Sequence, residues 1–288
     1  MLRYLAFLFL AFVAMPAAAQ SFASERIGVT VTGTGPDVVL IPGLSSHPDV
    51  WAATVAAVPG YRYHLIHVSG FAGRPAGANA AGPVLEPVAG EIARYIREAR
   101  LARPAVVGHS MGGSWAMMVA ARNPGLAGRV MVVDMMPFMG AMFGAPDSAA
   151  MGPAAEALRA RMTASATPEA RRQAIAPMIA TMVRTEGLRA GVLDHSVASD
   201  PAVSGQAMYD LVMMDLRPEL ARIGVPLTVL YVLPAGAPLT AEQIDGFYRL
   251  SYAGAPQAVL KRIPDSYHFI MFDAPEAFQS ELRAFLGK

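Results

Sequence analysis

The pentapeptide Gly108-His109-Ser110-Met111-Gly112 has the residue types and spacing that turn a serine into a nucleophile. It follows the apolar run "PAVV" and opens the helix-patterned segment "GGSWAMMVAARNPG". On a sharp strand-to-helix turn the flanking glycines remove side chains that would crowd the bend, and the serine hydroxyl is left exposed. The helix that starts there aims its first amides at the hydroxyl, which favours developing negative charge. A serine is inert near neutral pH without a general base, and histidine suits that task. The chain holds six: His47, His64, His67, His109, His195 and His268. His109 adjoins the serine, and a neighbouring residue at such a turn points away from the hydroxyl. His64 and His67 belong to an apolar strand. No His/Asp/Glu group has metal-ligand spacing and there are no cysteines, so no metal and no organic cofactor is expected.

The elements that must position these residues are legible as hydrophobic patterns. Continuous apolar runs at residues 37–43, 63–70, 104–110, 128–137 and 225–234 read as strands buried on both faces, with 257–265 a weaker sixth. Helical patterns begin at Pro87, Gly112 and Pro275. The alternation predicts an α/β fold with a mostly parallel central sheet and helices on both faces. From Met135 to about Leu220 strands give way to helix-like stretches such as "PAAEALRARM" and "PEARRQAIAPMIATMVRT". A helical cap inserted over the strand ends is therefore expected. It divides the mature chain into core residues 20–134, cap residues 135–220 and core residues 221–288. The cap carries many of the 18 methionines. Most are adaptable core filler, while Met135 and Met139 are expected to line an apolar pocket.

Three segments in this order resemble the α/β-hydrolase family, in its serine-nucleophile branch with a helical cap. "IPGLSSHPDVW" resembles the oxyanion loop, "GHSMGGSWA" the nucleophile elbow and "IPDSYHFIMFDAPEAF" the terminal histidine loop. The resemblance covers essentially the whole mature chain and implies Ser110 as nucleophile and His268 as base. With the geometry of an oxyanion hole, it also implies backbone donors at Leu44 and Met111. The family commonly has His-Gly where this chain has Pro42-Gly43, a change that backbone donors tolerate. Ser45 follows directly and is expected to face the substrate.

The acid that orients the histidine is displaced from its common place. In many relatives it follows the penultimate core strand, but residues 234–240 contain no Asp or Glu. Other members carry it one strand earlier, and the matching strand here, "RVMVVDMMP", contains Asp134. A carboxylate closing an apolar run needs a partner, and His268 would be one. Asp273 is expected to cap the last helix, with Pro275 in its first turn. Glu242 and Asp245 are expected on the surface.

The first 19 residues have a positive start at Arg3, an apolar run from Leu5 to Met15 and small residues at 17–19. That is the layout of a cleaved signal peptide, and the run falls short of the roughly 20 residues that span a bilayer. A periplasmic or secreted protein without stable membrane insertion is expected. The net charge of +1, with no Lys/Arg run, gives no reason to expect a nucleic-acid partner. The expected activity is hydrolysis of a small to medium apolar ester through an acyl-enzyme. Carbon–carbon bond hydrolysis, lactone opening and cofactor-free perhydrolysis use the same residues and stay open, as does a binding protein without turnover. The sequence leaves the oligomeric state open.

Overall fold

The computed structural model describes residues 22–164, 167–233 and 236–287; the expected signal peptide lies outside the described residues. Among the described residues seven strands form one sheet: β1 (Ile27–Gly33), β2 (Asp37–Ile41), β3 (Arg62–Val68), β4 (Ala105–His109), β5 (Arg129–Val133), β6 (Leu227–Tyr231) and β7 (Ala258–Arg262). Their order across the sheet is β1-β3-β2-β4-β5-β6-β7. All neighbours are parallel except β1 and β3. The six expected strands are present. The seventh, β1, is an exposed edge strand in which apolar residues alternate with Gly and Thr, a weaker signal than a continuous apolar run.

Among the described residues ten α-helices complete the fold: α1 (Ala52–Ala57), α2 (Leu85–Glu98), α3 (Met111–Arg122), α4 (Gly152–Thr163), α5 (Pro168–Met182), α6 (Glu186–Ala198), α7 (Pro201–Met213), α8 (Ala241–Ser251), α9 (Ile270–Asp273) and α10 (Pro275–Leu286). Both faces of the sheet are covered, which is why its central strands are continuously apolar. Val39, Ile41, Val106, Val130 and Val132 pack on one side with α2 and α3. Their neighbours Val38, Leu40, Val107, Met131 and Val133 pack on the other with α9 and α10. Successive strand side chains point to opposite faces, so one strand serves both layers. Every residue of α3 except Arg122 is buried, which fixes the helix that follows Ser110.

Helices α4–α7 all lie between β5 and β6, with α4 packed on α7 and α5 on α6. This insertion is tied down on two sides. Near α7, the Asp200 amide donates to the Gly70 carbonyl at 2.8 Å and the Ala72 amide donates to Ser199 Oγ at 2.8 Å. Near α5, the Phe269 amide donates to the Met182 carbonyl at 3.1 Å. Among the described residues no helix is long and apolar enough to cross a membrane.

The strand order also places the site. β2 lies between β3 and β4, so the chain leaves it first to one side and then crosses to the other. In an open parallel sheet the crevice outside the strand ends at such a reversal is where ligands bind. Residues 42–44 leave the end of β2 there, and Ser110 leaves the end of β4.

Candidate active site

Ser110 occupies a backbone conformation that L-residues rarely adopt, with φ 53° and ψ −127°. It persists because its surroundings over-determine it, as at many functional sites. The Ser110 amide donates to the Val133 carbonyl at 2.9 Å, and its own carbonyl accepts the Gly113 amide at 2.7 Å. Both flanking glycines are needed. A methyl group at Gly108 would overlap the Gly112 carbonyl, and one at Gly112 would overlap the carbonyl of Ile41. The loop after β2 presses equally close, since a Cβ on Gly43 would lie 2.9 Å from the Cβ of Ser110.

Met111 is the first residue of α3, where the helix offers its amide no acceptor. The Leu44 amide likewise has no acceptor among the described residues. Both expected oxyanion donors thus lack an acceptor among the described residues. Ser45 is held at φ 55°, and its hydroxyl shares a 2.8 Å hydrogen bond with that of Ser204 on α7. Its side chain fastens the loop to the insertion. Met135 is buried in the main core, and Met139 is half-buried against it.

His268 Nδ1 lies 2.6 Å from Asp134 Oδ2, a separation of 134 residues closed by the fold. The other carboxylate oxygen accepts the Val232 amide at 3.2 Å and the Tyr248 hydroxyl at 3.2 Å. Asp134 itself has φ 52°, and its amide donates to the Leu230 carbonyl at 2.7 Å. The carboxylate is thus locked between the ends of β5 and β6 and helix α8. Val232, the first residue after β6, contributes a backbone donor to Asp134 where many relatives place the carboxylate itself.

Tyr248 was invisible to sequence reasoning, although its spacing of four from Tyr252, just past the end of α8, marks a shared face. It stacks on Tyr231 at 4.0 Å, and the Tyr252 hydroxyl donates to the Met135 carbonyl at 2.6 Å. Burial, with Asp134 alongside, pushes the Tyr248 hydroxyl well above its ordinary range, so it remains a donor.

His109, next to Ser110, has a structural task. It is fully buried, and its Nε2 donates to the His268 carbonyl at 3.0 Å. Its ring centre is 4.6 Å from those of His268 and Phe269. Burial and the nearby His268 hold its pKa well below the ordinary value, so it stays neutral. The elbow therefore carries both the serine and the prop for the histidine loop.

The expectation for Asp273 is corrected. The last helix has Ala274 at its cap position, with no side-chain cap. Asp273 instead accepts the amides of Arg184, Thr185 and Tyr267 at 2.8–3.0 Å, joining the α5–α6 turn to the histidine loop. Asp245 is half-buried rather than on the surface, accepting the Tyr231 hydroxyl and bonding Arg262, both at 2.9 Å.

Burial is the largest cause of lowered pKa in four histidines: His64, His67, His109 and His195. For His67 the value falls to about 4. These rings are neutral in the folded chain and protonate on unfolding, so below about pH 6.5 the unfolded state binds more protons. Stability is expected to be full above about pH 6.5 and to fall as the pH drops toward 4. A Tm that stays level across that window would contradict the assignment.

Comparison with known proteins agrees with this fold. The profile of the alpha/beta hydrolase family matches residues 38–280. The sn-1-specific diacylglycerol lipase ABHD11 of Mus musculus is 25% identical over 191 residues, which span 63% of this chain and 58% of that protein. The chain thus spans less than two thirds of that relative's length. An esterase from Exiguobacterium antarcticum superposes with a TM-score of 0.75 at 19% identity, covering 91% of this chain and 96% of that one. The enol-lactonase from Burkholderia xenovorans LB400 superposes at 0.72 with 21% identity, covering 91% and 96%. From its sequence match and its fold, this chain belongs to the alpha/beta hydrolase family.

Proposed function

We propose that the protein is an exported serine hydrolase that cleaves carboxylic esters through an acyl-enzyme. The observation that carries this reading is the 2.6 Å contact between His268 and Asp134 beside a strained Ser110. Asp134 keeps the proton of the neutral imidazole on Nδ1, so Nε2 has a free electron pair for the serine proton. As Ser110 Oγ attacks the ester carbonyl, His268 takes that proton and Asp134 stabilises the imidazolium. The Leu44 and Met111 amides receive the developing oxyanion. His268 then protonates the departing alkoxide. Water, deprotonated by the same nitrogen, attacks the acyl group and returns Ser110 to its free form. The half-buried Met139 supports an apolar acyl or aromatic group in the substrate.

A fluorophosphonate probe tests the nucleophile. Stoichiometric labelling is expected, and it is expected to vanish in Ser110→Ala. The labelled species is expected outside the cytoplasm of a secreting host, with a mass that lacks residues 1–19. Labelling that persists in Ser110→Ala, or none at all, removes Ser110 from this role. Cytoplasmic retention at full mass removes the export.

A further inference from the structure

Apart from the Ser110 site, the fold gathers a second set of electron-pair donors. His47 and Asp49 belong to the loop and 3₁₀ turn after β2, and His195 stands on α6 in the insertion. Ligand atoms from all three lie within 4.8 Å of one another. His47 Nδ1 is 3.2 Å from Asp49 Oδ2, and His195 Nε2 is 3.3 Å from Asp49 Oδ1. Ligands arranged tetrahedrally at about 2.0–2.1 Å from an ion are spaced by roughly 3.3 Å. His47 and His195 each approach Asp49 at about that edge, each through a different carboxylate oxygen, and one atom from each residue keeps all three within 4.8 Å.

The hydrogen-bond arithmetic of the cluster points the same way. His47 Nδ1 accepts the Asp49 amide at 3.1 Å, so that nitrogen carries an electron pair and no proton. Yet it faces a carboxylate oxygen at 3.2 Å. Two acceptors held this close repel each other, and a cation between them relieves the repulsion. His195 has its Nδ1 buried with no partner among the described residues. Its interaction with the cluster therefore runs through Nε2.

We propose that His47, Asp49 and His195 bind a divalent transition-metal ion of the zinc class. Two imidazoles and one carboxylate are the donors such ions take, with water filling the remaining position. Magnesium and calcium prefer shells built of oxygen. Coordination exchanges the Asp49 amide bond at His47 for a bond to the ion, and the exposed amide turns to water. The ion then joins α6 to the loop that carries Leu44 and Ser45, reinforcing the bond between Ser45 and Ser204. It acts as a clasp on the insertion, and the proposal stands independently of the ester-hydrolase reading.

The full chain, freed of metal by chelator dialysis, is titrated with zinc chloride by calorimetry and with cobalt chloride by visible absorption. One ion per chain is expected, with intense bands from four-coordinate cobalt. At a free-zinc concentration of about 100 times the Kd, Tm is expected to rise by about 5–10 °C. Magnesium chloride is expected to leave Tm unchanged. His195→Ala and Asp49→Asn are each expected to weaken zinc binding by at least about 100-fold. His268→Ala, which removes another half-buried imidazole that could capture zinc, is expected to retain it. The proposal is overturned by the absence of stoichiometric binding, by equal affinity in Asp49→Asn, or by binding that disappears with His268→Ala. Asp49 is exposed, so its variant carries the test should His195→Ala fail to fold.

Discussion

Asp134→Asn is expected to lower kcat for ester hydrolysis by about 10⁴-fold while the chain folds normally. The structure supplies the reason atom by atom. Oδ1 accepts two hydrogen bonds, from the Val232 amide and the Tyr248 hydroxyl, whereas Oδ2 faces His268 Nδ1 alone. An asparagine keeps its carbonyl oxygen where two donors demand an acceptor, which turns its NH₂ group toward His268. Nδ1 must then accept, the ring proton moves to Nε2, and the electron pair needed by Ser110 is gone. Side-chain volume and the bonds to Val232 and Tyr248 survive, so circular dichroism and Tm should stay near those of the parent. Steady-state kinetics on a simple aryl ester decide the matter. A kcat within a few-fold of the parent would leave the contact between Asp134 and His268 a structural one.

Tyr248→Phe is expected to lower kcat roughly tenfold with little change in KM. The substitution removes one hydrogen bond to a carboxylate, an interaction worth about 1.5–3 kcal/mol, and leaves the stacking on Tyr231 in place. Part of that energy appears as lost stability and part as a less firmly held Asp134. Packing alone would lower Tm and leave kcat in place, so an unchanged kcat would confine Tyr248 to the core. On the proposed reading the tyrosine is a positioning residue, acting on the ester through Asp134 and His268.

The residues around Ser110 were legible because their signals are local. An apolar strand, two glycines about a serine and a buried helix lie within one continuous stretch, and steric exclusion at Gly108 and Gly112 makes the turn nearly inevitable. Asp134 was legible for a related reason, since a lone carboxylate ending a buried strand requires a partner. The helical character of α4, α5, α6 and α7 was equally plain from its pattern. Other expectations depended on which segments meet. Asp273 has a capping residue's surroundings in sequence, yet three amides from the α5–α6 turn and Tyr267 claim its carboxylate. Ser45 stands where a substrate contact is expected, yet Ser204, distant by 159 residues, holds its hydroxyl.

By itself, then, the sequence determined the alternating α/β architecture, the strained elbow at Ser110 and a short list of partners for it. Each follows from backbone sterics and hydrophobic period, which act over a few residues. The tertiary structure alone decided the bond of His268 to Asp134, the prop of His109 beneath the histidine loop and the anchor of Tyr248 behind the acid. It also decided the meeting of His195 with His47 and Asp49 across the insertion. These contacts require the strand order and the docking of α5–α7 on the core. Both are set by burial summed over the whole sheet, and no local pattern encodes that sum.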